Sequence, residues 1–329
     1  MMWVGIYAAL AVCVVFLSIK LANYVDLIDK KTDLSGAFIG GVILAAVTSL
    51  PELFTSISAV LFVKQPDLVM GNILGSNLFN MCIFGGAALI AAKSLCKSTI
   101  GNSHLKTTVI TFVMFAIMLL PVVFKKDYTV VGISVYSIIL LVLYACSIKF
   151  MAGDSAETEG EDNSPLTLKQ IVIRFIIMAV LLVTASIFIT FAADKLSEQF
   201  KLGKTVGGAL FLGVATSLPE LTSSIALIKK GNFNACAGNV MGSGVFNFCI
   251  ISIADILYRK GSVYTASDDK SNAYLNIFGL VAAAVVGIIL IMKQRKKDTE
   301  NAGLKLLYRI GGFAILACYG AFLFLSNAK

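Results

Sequence analysis

Two glutamates in this chain stand where a carboxylate is costly. Glu52 closes the pentapeptide Thr48-Ser49-Leu50-Pro51-Glu52, and Glu220 closes an identical one, Thr216-Ser217-Leu218-Pro219-Glu220, each inside a long apolar stretch. A charged side chain at the centre of a bilayer costs at least ~2.5 kcal/mol, so such groups ordinarily mark ion or proton paths. A second motif follows each copy: Gly71-Asn72-Ile73-Leu74-Gly75-Ser76 and Gly238-Asn239-Val240-Met241-Gly242-Ser243. Carboxylates, hydroxyls, carboxamides and backbone carbonyls are hard oxygen donors, the set that suits Na⁺ and Ca²⁺.

Helical spacing gathers these groups. Residues three and four apart share a face, so Thr48, Ser49 and Glu52 project together, as do Thr216, Ser217 and Glu220. Ser76 and Asn80 are likewise four apart, and so are Ser243 and Asn247. Pro51 and Pro219 are two of only five prolines. Each denies a hydrogen bond to the carbonyl four residues earlier, Val47 and Ala215, and is expected to kink its helix. Freed carbonyls are tolerated at membrane depth only where they line a cavity or bind something. Gly71, Gly75, Gly238 and Gly242 form small-xxx-small patterns that let helices approach closely. For Asn72, Asn77 and Asn239, helix glue and ion ligation both remain open readings.

The elements that must position these groups are membrane spans. The chain has 329 residues, 58% hydrophobic and 14% charged, with mean hydropathy +0.88; a soluble domain carries roughly a quarter charged residues. Apolar segments long enough to cross about 30 Å of hydrocarbon place ten spans at 3–22, 36–63, 67–92, 106–124, 129–150, 169–192, 205–228, 232–258, 272–293 and 304–326. The expected fold is therefore an all-α polytopic membrane protein. A first five-helix repeat covers 1–151 and a second covers 169–329, joined by an acidic hydrophilic linker at 152–168 (Asp154, Glu157, Glu159, Glu161, Asp162). Five is odd, so related halves enter the membrane with opposite orientation, the inverted-repeat plan in which substrate binds at the midplane. With the N-terminus outside, the loops holding Lys30, Lys31, Lys93, Lys97, Lys229, Lys230, Lys293, Arg295, Lys296 and Lys297 face inward, so the positive-inside rule places both termini outside. A cell (plasma or inner) membrane location is expected.

Composition excludes other classes. The net charge of +8 reads as loop charge, with no basic–aromatic run for nucleic acid. The seven cysteines form no CxxC or Cys/His pattern, and the single histidine, His104, is placed in a loop; soft-metal capture and a resident cofactor are not expected. The N-terminus lacks the basic region of a cleaved signal and reads as part of the first span. The linker shows no EF-hand spacing and is shorter than the roughly 50 residues a regulatory domain needs. Paired glutamates suit acid–base work, but neither a nucleophile–base pair nor a zinc motif accompanies them, so no enzyme is expected. No obligate protein partner is evident beyond the bilayer.

The two paired motifs, in order and in both halves, resemble the α-repeats of the calcium/cation antiporter superfamily, in particular its sodium/calcium exchanger branch of prokaryotic type. The likeness covers 36–83 and 204–250, and Gly40 and Gly208 also stand eight residues before their threonines. It implies central ion ligands at Glu52, Asn80, Glu220 and Asn247. It also implies supporting oxygens from Thr48, Ser49, Ser76, Thr216, Ser217 and Ser243, with carbonyls near Val47 and Ala215. It further implies Na⁺-driven Ca²⁺ exchange by alternating access, with spans 1 and 6 sliding past the core. Three positions depart from the pattern. Val47 and Ala215 replace a glycine before the threonine, and Gly244 stands where an asparagine is usual. Asn247 stands where potassium-dependent members carry aspartate, which leaves two central carboxylates and argues against K⁺ co-transport. An H⁺-coupled antiporter and a cation channel are the competing readings.

Overall fold

The computed structural model describes residues 2–153, 164–200, 213–266, 270–295 and 302–327. Among them, nine helices are long and apolar enough to cross a membrane. These are α1 (Met2–Lys31), α2 (Gly36–Val63), α3 (Pro66–Ile90), α4 (Asn102–Phe124), α5 (Val135–Ala152), α6 (Leu168–Gln199), α8 (Phe233–Leu257), α9 (Lys270–Arg295) and α10 (Ala302–Asn327). The remaining span, α7, is described as Gly213–Lys229. Its expected start at 205, with Lys204 and Gly208, lies outside the described residues, as do the acidic residues of the linker.

Spans 3 and 8 are the centre of the molecule. About three-quarters of the apolar window of each is buried, 72% in α3 and 78% in α8, against 17% in α1 and 22% in α10. Helices in lipid gain little from burying apolar surface against one another, so close backbone approach and polar contacts do more of the work. Gly238 and Gly242 of α8 meet the backbone of α2 at Ala37, Gly40 and Gly41 so tightly that no Cβ could be accommodated. The same spacing in the first half behaves differently: nothing lies within 4 Å of a Cβ placed on Gly75.

The apolar interior divides into two clusters. Val14, Leu17, Leu21 and Val25 of α1 pack with Ile171, Phe175, Leu182 and Ile189 of α6, bordered by Ile39, Leu44, Ala215 and Leu227. The larger cluster joins α3, α4, α5, α8, α9 and α10. Bulky side chains such as Phe16, Phe62, Phe188, Phe191, Phe313 and Phe324 are exposed on the perimeter, as expected of lipid-facing helices.

Several span ends depart from hydropathy. α1 runs to Lys31 instead of ending near 22, because its polar last turns find partners. Asn232 donates to Asp26 Oδ1 (3.3 Å) and Asp29 Oδ2 (2.8 Å), and Lys30 and Lys230 each pair with Asp26 at 3.2 Å. Span 5 begins at Val135, not 129. Thr129–Val130 (β1) and Ile133–Ser134 (β2) form an antiparallel hairpin turned by Val131 (φ 53°) and Gly132 (φ 78°), the left-handed pair that a two-residue hairpin turn requires. Ser134 then caps α5 by accepting from the Tyr136 N–H. His104 is not in a loop: it is fully buried in the first turn of α4, with Nε2 2.7 Å from Asn234 Oδ1 of α8.

Candidate ion-binding site

The first Thr-Ser-Leu-Pro-Glu copy sits on a helix that changes winding three times. Ile39–Leu44 is π-helical, Ala45–Thr48 is α-helical, and the helix breaks at Ser49 (φ −92°, ψ 6°). It restarts with Pro51 in its first turn, where proline's missing N–H costs nothing. Glu52 lies in that same turn, at the positive end of a half-helix. The second copy is not the mirror of the first: α7 stays helical through Pro219. The first half therefore meets its proline with an interruption, while the helix of the second half runs on through Pro219. Wider π turns are frequent at functional positions, and the one here also lets Gly40 and Gly41 sit against α8.

Glu52, Glu220, Asn80, Asn247, Thr48, Ser49 and Ser243 are fully buried, and Ser76, Thr216 and Ser217 nearly so. Hydrogen bonds link most of them into two networks, one around each glutamate. Ser49 donates to Glu220 Oε1 (3.0 Å), and Ser76 donates to Glu52 Oε1 (3.4 Å) and lies 3.4 Å from Ser217. Asn247 Nδ2 donates to Ser76 Oγ (3.3 Å) and to Asn77 Oδ1 (2.9 Å). Thr48 reaches Asn239 Oδ1 (3.4 Å) and Ser243 (3.5 Å). Thr216 stands beside Glu52 and Thr48 beside Glu220. Hydroxyls of one half thus serve the carboxylate of the other.

What the cluster leaves unmade is as informative. Glu52 Oε2, Glu220 Oε2, Asn80 Oδ1 and Nδ2, and Asn247 Oδ1 are buried without a hydrogen-bond partner. Buried polar atoms are nearly always paired, and an unmade bond costs roughly 1–3 kcal/mol per group. No lysine or arginine bonds either glutamate among the described residues. The four free oxygens are hard donors.

Asn72 and Asn239 pin neighbouring helices. Asn72 donates to Ser56 Oγ (3.3 Å) and the Glu52 carbonyl (3.5 Å), and Asn239 donates to Ser223 (3.1 Å) and Ser224 (3.0 Å). Asn77 accepts across the halves from Asn247, as Asn239 does from Thr48; sequence spacing carries no sign of either bond. The Asp26–Asp29–Asn232–Lys230 group was also missed. Its only trace in sequence is a pair of carboxylates three apart at a span's end. Val47 is half-buried and Ala215 fully buried, each four residues before a proline that offers no N–H to its carbonyl. None of the seven cysteines, all among the described residues, forms a disulfide.

Comparison with known proteins agrees over the whole length. The model of the family described as sodium/calcium exchanger protein matches residues 2–153 and 170–327. Inner membrane protein YrbG of Escherichia coli (strain K12) is 23% identical over 314 residues, 92% of this chain and 91% of that protein. Sodium/calcium exchanger MaX1 of Methanosarcina acetivorans is 24% identical over 304 residues, 80% of this chain and 84% of that protein. Among solved structures, the sodium-calcium exchanger NCX_Mj soaked with 10 mM Na⁺ and zero Ca²⁺ superposes with a TM-score of 0.71, at 19% identity and 99% coverage of both chains. With motifs, fold and whole-chain match in accord, this polytopic membrane protein belongs to the sodium/calcium exchanger protein family, as a cation/Ca²⁺ antiporter and not an enzyme.

Proposed function

We propose that this protein exchanges Na⁺ for Ca²⁺ by alternating access. Glu52, Asn80, Glu220 and Asn247 are the central ligands, supported by Thr48, Ser49, Ser76, Thr216, Ser217 and Ser243 and by the Val47 and Ala215 carbonyls. The observation that carries the reading is the set of buried, unpartnered oxygens on Glu52, Glu220, Asn80 and Asn247. Two carboxylates balance one Ca²⁺ charge for charge, which makes Ca²⁺ the neutral cargo of this cluster. The names of relatives such as MaX1 and NCX_Mj point the same way for the coupling ion. The protein resides in the cell membrane with both termini outside, on the distribution of its loop lysines. Each five-helix half, 1–151 and 169–329, is one repeat.

The test is ⁴⁵Ca²⁺ uptake into proteoliposomes under an imposed Na⁺ gradient or an imposed H⁺ gradient. Uptake is expected with the Na⁺ gradient and not with the H⁺ gradient alone. The two carboxylates bonded by no basic side chain also have proton-binding chemistry, and uptake driven by H⁺ without Na⁺ would replace this reading with H⁺ coupling. Uptake needing no counter-ion would indicate a channel.

A further inference from the structure

The two halves of the cluster are not equivalent, and the difference lies in one side chain. Aligning the repeats pairs Ser76 with Ser243, Asn77 with Gly244 and Asn80 with Asn247. In the structure, Asn77 of α3 accepts from Asn247 Nδ2 of α8 at 2.9 Å, and Ser76 accepts the second amide hydrogen at 3.3 Å. Both hydrogens of that amide are therefore occupied, and Asn247 Oδ1 is left buried without a donor. In this arrangement the amide oxygen is left free. The symmetry-related bond would join residue 244 to Asn80. Gly244 has no side chain to make it, and Asn80 is buried with both Oδ1 and Nδ2 unpartnered. A Cβ on Gly244 would meet only ordinary contacts, 3.7 Å from Met81 Cε and 4.0 Å from Thr111 Cγ2.

An amide presents an oxygen to a cation on one face and N–H donors on the other. A cation site built from amides therefore needs something to set which face it sees. We propose that Asn77 is a positioning residue that holds the Asn247 amide oxygen toward the bound cation, and that Gly244 leaves Asn80 free to turn, so the two halves contribute one fixed and one adaptable amide. The proposal rests on the ion-site reading above and concerns which residues set ligand orientation. It adds to the cluster a residue that touches no ion.

The experiment is ⁴⁵Ca²⁺/Ca²⁺ exchange in proteoliposomes, which needs no choice of coupling ion, titrated with Ca²⁺ to separate KM from maximal rate. Asn77→Leu keeps the side chain's size and removes the acceptor; it is expected to raise KM about tenfold with maximal rate within about twofold, the scale of one lost hydrogen bond to a buried polar group. A carboxylate has no wrong face, so in the Asn247→Asp background the same Asn77→Leu change is expected to cost less than about twofold. Equal cost in both backgrounds means a merely structural role and overturns the proposal, as does a wild-type KM in the single variant. If Asn77→Leu does not fold, the second arm decides. Gly244→Asn supplies the missing partner and is expected to lower KM about threefold by pre-orienting Asn80, while Gly244→Ala does not lower it. An unchanged KM in Gly244→Asn, or the same gain from alanine, overturns the proposal. Glu52→Gln is run alongside: normal exchange in that variant removes the site reading itself, whereas lost exchange with a silent Asn77→Leu removes only this inference.

Discussion

Glu52 and Glu220 are held by different partners despite their identical pentapeptides. Glu220 takes a hydroxyl from Ser49 of the opposite half, while Glu52 takes one from Ser76 of its own half and has Thr216 of the other beside it. Replacing either carboxylate with glutamine should abolish Ca²⁺ exchange and leave a folded, monodisperse protein. Wild-type flux in either variant would contradict the assignment. Ser49→Ala removes a direct donor to Glu220 and should raise KM for Ca²⁺ about fivefold, the worth of roughly 1 kcal/mol. Ser217→Ala removes a supporting oxygen that lies against Ser76 and should cost about twofold or less on the same scale; a Ca²⁺ titration of both variants checks the order. Which residues carry oxygen toward one another was legible in the sequence, because i, i+3 and i, i+4 spacing fixes a helix face. Which residue bonds which was not. Asn77 and Asn247 are 170 residues apart, and their pairing depends on the register of α3 against α8, which no local pattern encodes.

Hydropathy located the helices well where they face lipid and poorly where polar residues find buried partners, as at the end of α1. The winding of α2 was out of reach altogether: the proline signalled a disturbance, but the π turn at Ile39–Leu44 answers the close seat of Gly40 and Gly41 on α8. Two variants test that packing. Gly242→Ala drives a methyl into the Gly41 backbone and should destabilise by about 1–3 kcal/mol. Gly75→Ala meets nothing within 4 Å and should be neutral or stabilising by up to about 1 kcal/mol through helix propensity. Thermal unfolding in detergent distinguishes them. At the α1 end, Asn232 both binds Asp26 and Asp29 and caps α8 through Ala235 N–H. Asn232→Ala should lower stability by about 1–3 kcal/mol. Lys230→Ala removes a more exposed charge and should cost under about 1 kcal/mol. An inverted order of melting temperatures would show that Asn232 does not hold that junction.

At the scale of the molecule, the α1–α6 pair has its own apolar cluster, distinct from the one uniting α3, α4, α5, α8, α9 and α10. The glutamates themselves lie on α2 and α7, which border the two. The crossing hydroxyls give that arrangement a further meaning. Each half supplies hydroxyls to the other's glutamate, so neither half alone encloses the complete cluster. Joining the halves in one chain turns what would be an encounter between two molecules into an intramolecular meeting at millimolar effective concentration. Severing the connection should therefore convert a first-order property into a second-order one. Fragments 1–153 and 164–329, expressed separately, should each fail to exchange Ca²⁺, and together should recover flux that rises with the product of their amounts in the membrane.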